Sequence, residues 1–510
     1  MRIPPERYNV ATMLDANIDA GRADKIAIYC DDQRITYAQL LATSCRAANA
    51  LAGLGVRREQ RVLMVMGDTP DFPAVFFGAI RLGAVPVPVN PRYRPADYRF
   101  FAEDSDAQVV VVDEGLVPTI SEAFEGMPHA PNIVSSGDGA FPILRLADLL
   151  ATQPDTFDPA PTHRDDMAFW LYSSGSTGNP KGVVHLQRDI PYTCETYASQ
   201  IWDIREDDIV FSRVLFHAYG LGNALTFPIW AGASTVLDPR RPTPENIMQT
   251  VERFRPTIFG IVPTLYNAIL NTPACVDADL ASVRLCVSAA EPLPPETFRR
   301  WQETYGAAIL DGIGSTEMLH IFCSNSSSDL RPGSSGKPVP GYSLRIVDEE
   351  GQDLPSGETG NLLVRGGSAA PFYWHRRERS QQTMLGEWVF TGDRYRRDDD
   401  GFYWYEGRAD DMMKVAGEWV SPIEIENTLL EHPRVDEAAV VGIPVDGVLR
   451  IKAVIIPRDG PASDELTVAL QEWCKERLQR FQYPHVVEYV TELPKTLTGK
   501  IQRYRLREDP

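Results

Sequence analysis

Short apolar segments alternate with amphipathic segments along the first 330 or so residues, and this alternation restricts the chain to few folds. The apolar segments have the length of buried parallel strands, and the segments between them have helical periodicity. Strands are predicted at residues 61–66, 84–89, 108–112, 257–262, 283–288 and 308–310. Helices are predicted at residues 71–82, 265–270 and 295–305. The pattern predicts doubly wound α/β layers, in which ligands bind at the loops that follow the strands.

The pattern changes near Ser334, where Gly and Asp turns separate the apolar segments. A smaller β-rich subdomain is predicted from segments at residues 343–347, 360–364, 388–391 and 402–405. A charged, turn-like segment at residues 407–411 follows. A further unit is predicted beyond it, with helices at residues 422–430 and 464–480 and strands at residues 438–441 and 453–456. We therefore predict an N-terminal domain of residues 1–409 and a C-terminal domain of residues 410–510.

Composition excludes several classes of protein. The formal net charge of −20 argues against a binder of nucleic acids or anionic membranes. Residues 214–237 carry no acidic or basic side chain, but their Gly, Pro, His and Asn residues favour a buried helix with adjoining strands over a membrane span. The Cys residues form no C-x-x-C pair, and the N-terminus has no apolar signal segment, so a cytoplasmic protein without zinc or disulfides is expected.

The most specific local motif is a loop of small and hydroxyl residues that ends in lysine, YSSGSTGNPKG at residues 172–182. Its amides and hydroxyls can surround phosphate oxygens, and its glycines keep the backbone flexible. It is not a Walker A loop, because the spacing G-x-x-x-x-G-K-[ST] does not fit. Taken alone, the motif leaves a solvent-exposed loop open as the alternative.

Four further segments carry chemically useful groups: DGIGSTE at 311–317, TGD at 391–393, GRADDMMKVAG at 407–417 and PKTLTGK at 494–500. The Glu317 carboxylate suits Mg²⁺, which prefers carboxylate and phosphate oxygens. The Asp393 carboxylate suits ribose hydroxyls. Residues 494–507 contain five bases and no acid, a local positive patch on an acidic protein. Each segment alone could be an ordinary turn or ion pair.

Together and in this order, the five segments resemble the adenylate-forming superfamily of acyl-CoA synthetases, carrier-loading adenylation domains and luciferases. The resemblance extends over nearly the whole chain, from Ile35 to Lys500. Within that superfamily the chain resembles the benzoate–CoA ligases in particular. The segments that carry this likeness are PERYN at 5–9, DKIA at 24–27, AYGLGN at 218–223, GSTEMLHIF at 314–322, KPVPGY at 337–342 and VSPIE at 420–424.

The resemblance implies a large N-terminal AMP-binding domain and a small mobile α+β C-terminal domain that rotates between two half-reactions. ATP and an aromatic acid, benzoate or a substituted benzoate, would first form an acyl-adenylate and pyrophosphate. The thiol of CoA would then displace AMP. In this scheme Lys500 faces the site during adenylation, Asp410 is the hinge, and Gly417 lies in the passage for CoA.

The resemblance also implies an ATP site that needs Mg²⁺. The β- and γ-phosphates would be held by Ser173, Ser174, Gly175, Ser176, Thr177, Gly178 and Lys181. Thr316 would contact the α-phosphate, Glu317 would bind Mg²⁺, and Asp393 and Arg408 would hold the ribose. The adenine would lie beside Ala289, Ala290, Glu291, Asp311 and Gly312. Lys500 would bridge the reacting carboxylate and the α-phosphate, where negative charge moves.

The substrate ring is expected in a flat pocket, here called the aryl slot. Its expected residues are Ala218, Tyr219, Gly314, His320 and Ile321. A Tyr side chain and small residues suit an aromatic ring, although a core role for His320 stays open. His217 is the expected gate of the carboxylate site. Benzoate ligases more often carry Phe there, so His217 leaves the acid open among benzoate, salicylate, hydroxybenzoate and anthranilate.

Three other functions compete with that of an aryl–CoA ligase. One stays open, one is disfavoured and one is excluded by the sequence. A freestanding enzyme that loads an aryl acid onto a carrier protein would share the first half-reaction. A nucleotide-binding protein without catalysis is disfavoured by the intact Glu317, Asp393, Arg408 and Lys500. A P-loop NTPase fails on the missing Walker pattern. The oligomeric state, with a homodimer as one option, and the pathway are not determined by the sequence.

Overall fold

The structure is a computed structural model of the chain. It describes residues 3–137, 139, 141–173, 180–408, 411–415, 418–445, 448–458, 462–479, 481–495 and 501–507.

The smaller of two parallel sheets lies in the N-terminal part of the chain. Its strands, in spatial order, are Val85–Pro88, Arg61–Val65, Ala107–Asp113, Asn132–Ser136 and Leu144–Arg145, all paired in parallel. The helices of this region are Tyr37–Gly53, Asp71–Leu82, Pro95–Ser105, Val117–Phe124 and Leu146–Ala151. Val62 and Met64 pack into one hydrophobic core, while Leu63 and Val65 pack into another. Successive side chains of a strand point to opposite faces, so both faces of this sheet are covered.

The larger sheet is parallel in its centre and antiparallel at both ends. Its strands, in spatial order, are Lys337–Pro338, Ile321–Ser324, Ile309–Gly314, Leu285–Ser288, Ile258–Gly260, Ile209–Phe211, Ser234–Leu237, Ile26–Cys30 and Gln33–Thr36. Its helices include Met13–Asp19, Asp189–Thr193, Ala218–Leu221, Phe227–Ala231, Pro244–Phe254, Pro263–Leu270 and Pro295–Tyr305. Ile258 and Phe259 again pack into different cores. The predicted doubly wound α/β class is therefore confirmed.

The β-rich subdomain is an antiparallel sheet. Its strands are Ser343–Val347, Thr359–Arg365, Met384–Leu385, Trp388–Arg397 and Tyr403–Arg408, with the helix Arg377–Thr383 beside them. The sequence predicts a turn at residues 407–411, and this prediction is wrong for Gly407 and Arg408. Gly407 and Arg408 end the last strand and pair with Arg394 and Asp393.

The C-terminal unit has its own hydrophobic core, built from residues beyond Met413. Its strands are Met413–Val415, Glu418–Val420, Val435–Val445, Val448–Pro457 and Val486–Tyr489, and its helices are Pro422–Leu430, Asp464–Arg477 and Arg503–Leu506. This small mixed unit confirms the α+β prediction. The predicted domain boundary at residues 409–410 lies outside the described residues and stays a prediction.

The uncharged segment at residues 214–237 is not one long helix. It consists of the helix Ala218–Leu221, the π-helix Gly222–Thr226, the helix Phe227–Ala231 and the strand Ser234–Leu237. Both helix and strand are buried, as predicted. Among the described residues, none of the helices combines the length and the apolar character needed to cross a membrane.

Candidate active site

Two antiparallel strands flank the predicted phosphate loop in the sequence. The strands Met167–Ser173 and Lys181–Leu186 are antiparallel, and Ser173 pairs with Lys181 at the end of the ladder. The Tyr172 hydroxyl donates to Oδ2 of Asp104 at 2.8 Å and fixes this end of the hairpin. The hairpin thus sets the two ends of the loop. Five predicted phosphate ligands lie outside the described residues: Ser174, Gly175, Ser176, Thr177 and Gly178.

Lys181 lies next to the predicted metal ligand, and Tyr373 connects them. The Lys181 ammonium is 4.9 Å from the centre of the Tyr373 ring. The Tyr373 hydroxyl donates to Oε1 of Glu317 at 2.7 Å. Burial lowers the pKa of Lys181, the nearby Arg379 lowers it further, and Glu317 opposes the shift. An anion bound next to Lys181 would stabilise the charged ammonium, because it offsets the cost of burying that charge.

Thr316 and Glu317 lie on a short turn that a buried histidine holds. Ser315 caps the 3₁₀ turn Thr316–Met318 through its side chain, which accepts from the Met318 amide at 3.3 Å. Nε2 of His185 is 2.8 Å from the Thr316 carbonyl oxygen, and Nδ1 is 2.9 Å from Oδ2 of Asp189. His185 is fully buried. The backbone of the predicted α-phosphate and metal ligands is therefore fixed from the hairpin side.

The predicted ribose ligands form an ion pair. Nη1 of Arg408 donates to Oδ1 of Asp393 at 3.0 Å and to the Thr391 carbonyl oxygen at 3.1 Å. The two residues face each other on adjacent antiparallel strands. Gly392 has φ of 74°, in the left-handed region that favours glycine, and a Cβ there would press on the Arg408 guanidinium. The turn before Asp393 therefore needs glycine.

The predicted adenine-side residues follow two neighbouring strands of the larger sheet. Ala289, Ala290 and Glu291 follow the strand Leu285–Ser288, in which Ser288 pairs with Asp311. Oε2 of Glu291 accepts hydrogen bonds from the amide and hydroxyl of Thr264 at 3.1 and 2.6 Å. Burial raises the pKa of the Asp311 carboxyl well above its usual range. Ala289, Asp311 and Gly312 are buried, and the pairing of Ser288 with Asp311 brings the two strand ends next to each other.

The five predicted residues of the aryl slot come together. Nε2 of His320 donates to the Tyr219 carbonyl oxygen at 3.2 Å, and the two rings stack with centres 5.8 Å apart. Gly314 pairs with Ile321, and Ala218 precedes Tyr219 in the same helix. Burial lowers the pKa of His320 to about 3, and His217 contributes to this shift. His320 is therefore neutral near pH 7, and its role in the aryl slot stays a prediction.

Three predicted residues of the C-terminal unit lie outside the described residues: Asp410, Gly417 and Lys500. The structure describes their flanks. The strands Met413–Val415 and Glu418–Val420 pair on either side of Gly417. Lys495 and Ile501 form a bridge at the two ends of the segment that carries Lys500, and the Lys495 ammonium lies 2.6 Å from Oε2 of Glu437.

Sequence reasoning did not single out Tyr373 or His185, which support the predicted ligands. Their partners lie 56 and 131 residues away along the chain. The only local signal is the spacing of His185 and Asp189, which puts them four residues apart. In the described part of the chain, no three His, Cys, Asp or Glu side chains form a cluster that could hold a metal.

Two family descriptions match the chain. "AMP-binding enzyme" matches residues 15–374, and "AMP-binding enzyme C-terminal domain" matches residues 424–500. The chain is 46% identical to a benzoate–CoA ligase of Thauera aromatica, over 99% of this chain and 96% of that protein. It is 44% identical to a 4-hydroxybenzoate–CoA/benzoate–CoA ligase of Rhodopseudomonas palustris, over 99% and 95%.

A solved structure with the same fold is the anthranilate CoA ligase AuaEII in complex with anthranoyl-AMP. It superposes with a TM-score of 0.96 at 43% identity, over 99% of this chain and 97% of that chain. The likeness therefore includes both the N-terminal and the C-terminal units.

Proposed function

Since the chain belongs to the family of AMP-binding enzymes, we propose as its function the ATP-dependent, AMP-forming ligation of an aromatic carboxylic acid to coenzyme A. The acid is benzoate or a substituted benzoate, and an acyl-adenylate is the intermediate. The observation that carries this function is identity of 44–46% to benzoate–CoA ligases along essentially the full length of the chain.

The geometry supports this function because residues 311–320 contain expected contacts for the nucleotide, the metal ion and the aryl acid. Asp311 and Gly312 would face the nucleotide and Glu317 the metal ion, and His320, whose ring contacts the Tyr219 carbonyl oxygen, would line the aryl slot. ATP and the aryl acid would therefore meet within about ten residues of chain. This proximity is what a reaction between a carboxylate and the α-phosphorus needs.

In the first half-reaction the main barrier is the approach of two anions. Ser173 and Lys181 would hold the β- and γ-phosphates, Thr316 the α-phosphate, and Asp393 and Arg408 the ribose. His217 would gate the carboxylate. An oxygen of the aryl carboxylate attacks the α-phosphorus, and pyrophosphate leaves. Lys500 would neutralise the charge that moves between the two groups.

In the second half-reaction the C-terminal domain would turn about Asp410, and Gly417 would leave room for pantetheine. The sulfur of CoA attacks the acyl carbonyl, the bond to the phosphate oxygen breaks, and AMP leaves. The thiol proton is released, so the products are the thioester and AMP. The two steps would therefore use different faces of the C-terminal domain. The first step would use the face with Lys500, and the second would use the face with Gly417.

Magnesium fits the side chains present. Glu317 offers a hard carboxylate, and Mg²⁺ is commonly bound by one or two carboxylates together with substrate phosphates. Tyr373 fixes one of the two oxygens of Glu317. The ion would supply positive charge against the phosphates, and Lys181, 4.9 Å from the centre of the Tyr373 ring, would add to it.

A panel of substituted benzoates, assayed for CoA-dependent AMP release, tests the proposal. We expect benzoate or a hydroxy- or aminobenzoate to give the highest kcat/KM, because His217 adds a polar ring at the entrance. Acetate and malonate serve as control acids. Adenylate and pyrophosphate formation without transfer to free CoA would instead favour a carrier-loading enzyme.

All seven cysteines are buried and unpaired. This agrees with a reducing compartment, where free thiols persist. We infer that the enzyme acts in the cytoplasm, and fractionation of the producing cells tests this.

A further inference from the structure

The turn that precedes the aryl slot has an unusual backbone. Val214 has φ of 74°, in the left-handed region. That region is unfavourable for residues with a Cβ and most unfavourable for β-branched residues. Such a conformation persists only where the surroundings hold it, and it is concentrated at functional sites. Val214 lies three residues before His217, the expected gate.

Asp68 holds this turn from another layer of the fold. Its Oδ2 accepts a hydrogen bond of 2.8 Å from the Val214 amide, and its Oδ1 accepts one of 2.9 Å from the Leu215 amide. Asp68 is 7% exposed and follows the strand Arg61–Val65 of the smaller sheet. Burial raises the pKa of the Asp68 carboxyl, and the hydrogen bonds from the Leu215 and Val214 amides oppose that rise. Both oxygens of one side chain thus fix two consecutive amides.

The turn at Val214 also fixes the backbone of His217 and of the helix that begins the aryl slot. The His217 amide donates to the Val214 carbonyl oxygen at 3.0 Å, and the Leu221 amide donates to the His217 carbonyl oxygen at 2.8 Å. A Cβ on Gly220 would overlap the carbonyl oxygens of Arg213 and Val214. The turn therefore packs directly on the helix that carries Ala218 and Tyr219, and neither can move alone.

We propose that Asp68 is a positioning residue for the aryl acid, acting through Val214 on His217 and Ala218. The proposal rests on the proposed function, because it assumes that these residues face the acid. Asp68 is not among the residues expected to bind ATP or the acid. Its effect should therefore appear in the binding of the acid and not in the binding of ATP, whose expected ligands lie on other loops.

The test uses Asp68→Asn and steady-state ATP–pyrophosphate exchange. The amide nitrogen of Asn cannot accept a hydrogen bond, so one of the two contacts is lost. We expect KM for the aryl acid to rise about tenfold or more, as misplacement of a reacting group by a distant change can cause. KM for ATP should stay within about twofold on the same grounds. Asp68→Glu, which shifts the carboxylate by one methylene, should also raise KM for the acid and serves if Asp68→Asn fails to fold.

Rescue distinguishes positioning from general stabilisation. Glycine adopts positive φ without a steric penalty, so Val214→Gly should need the Asp68 contact less. We expect Asp68→Asn with Val214→Gly to recover most of the lost acid affinity. Val214→Gly alone, measured in parallel, gives the baseline for the double variant.

Asp208→Asn is the matched control. Asp208 is also a buried carboxylate, and it accepts from the Arg205 amide at 2.8 Å, but none of its recorded contacts involves the turn. It should lower the melting temperature without changing KM for the acid. The proposal is wrong if Asp68→Asn leaves the acid KM unchanged, raises both KM values equally, or is not rescued by Val214→Gly. Wild-type exchange with the benzoate panel tests the proposed function separately.

Discussion

The Tyr373 hydroxyl donates a hydrogen bond of 2.7 Å to Oε1 of Glu317, and the same ring lies 4.9 Å from the Lys181 ammonium. One buried aromatic side chain thus orients both the expected metal ligand and the expected phosphate ligand. The contact is available because Tyr373 also forms a backbone bridge with Val183 on the hairpin. Glu317, the expected metal ligand, and Lys181, the expected phosphate ligand, are therefore held in place by the same side chain.

Tyr373→Phe should weaken the response to Mg²⁺ selectively. The ring under Lys181 stays, but Glu317 loses its partner, and loss of such a supporting hydrogen bond commonly costs about 10–100-fold in metal affinity. We expect the Mg²⁺ concentration for half-maximal exchange to rise within that range. Tyr373→Leu, which also removes the ring, should raise KM for ATP in addition. An unchanged Mg²⁺ titration in Tyr373→Phe would contradict this role.

Lys500→Ala should reduce adenylate formation by about 100-fold or more, because a positioned cation serves a charged transition state. Thioester formation from supplied acyl-AMP should persist. ATP–pyrophosphate exchange measures the first step, and CoA-dependent AMP release from the supplied adenylate measures the second. Lys495→Ala is the control, since that lysine pairs with Glu437, and it should retain exchange. Normal exchange in Lys500→Ala would show that the assignment of Lys500 is wrong.

Gly417→Leu should have the opposite effect on the two steps. A bulky side chain at this position would narrow the expected passage for pantetheine, so transfer to CoA should slow while exchange continues. The same two assays measure it. Equal losses in both steps would indicate misfolding and argue against a passage at Gly417.

The sequence predicted local elements well where the apolar pattern was complete. The helix Asp71–Leu82 has its predicted bounds because the periodicity ends at Gly83, which takes a left-handed φ of 80°. The strand Trp388–Arg397 extends well beyond the predicted residues 388–391. Its second half carries Asp393, Arg394, Arg396 and Arg397, and this run of charged residues breaks the apolar pattern. Local periodicity could not reveal this.

The expected ligands could be predicted from the sequence because they lie in compact motifs, whereas the residues that support them could not. Asp68 contacts residues 146 and 147 positions away in sequence, and no local pattern encodes such a pairing. The same holds for the contact between His185 and Thr316. The motif residues are the expected ligands, but the fold decides where each motif lies, and that information is distributed over both sheets.

Gly222→Ala should disturb the aryl slot. A Cβ there would overlap the His320 ring and press on Phe227. Such overpacking typically costs about 1–3 kcal/mol. We expect a lower melting temperature and a higher KM for the acid. Gly53→Ala is the matched control, because its Cβ would meet nothing within 4 Å, and it should leave KM for the acid unchanged. A Gly222→Ala enzyme with normal acid KM would show that His320 does not shape the slot.

His320 should make the folded state less stable in acid. Its pKa is lowered from 6.5 to about 3 by burial. Below pH 6.5 the unfolded chain therefore takes up a proton that the folded chain does not, and stability falls as the pH falls towards 3. The expected loss is about 1.4 kcal/mol per pH unit within this window.

Other buried groups oppose this slope, so a variant must isolate it. Burial raises the pKa of Glu406 to about 7 and that of Asp113 to about 6, and both contributions to stability are lost as pH rises. His320→Gln keeps a donor for the Tyr219 carbonyl oxygen but cannot titrate. Thermal unfolding of both proteins at pH 7.5 and 5.0 gives the comparison. The wild type should lose about 2 kcal/mol more than His320→Gln on acidification, which is 1.5 pH units at 1.4 kcal/mol each. An equal fall in stability in both proteins would mean that His320 is protonated in the folded state at pH 5.0. The prediction that His320 stays neutral beside the aryl slot would then be wrong.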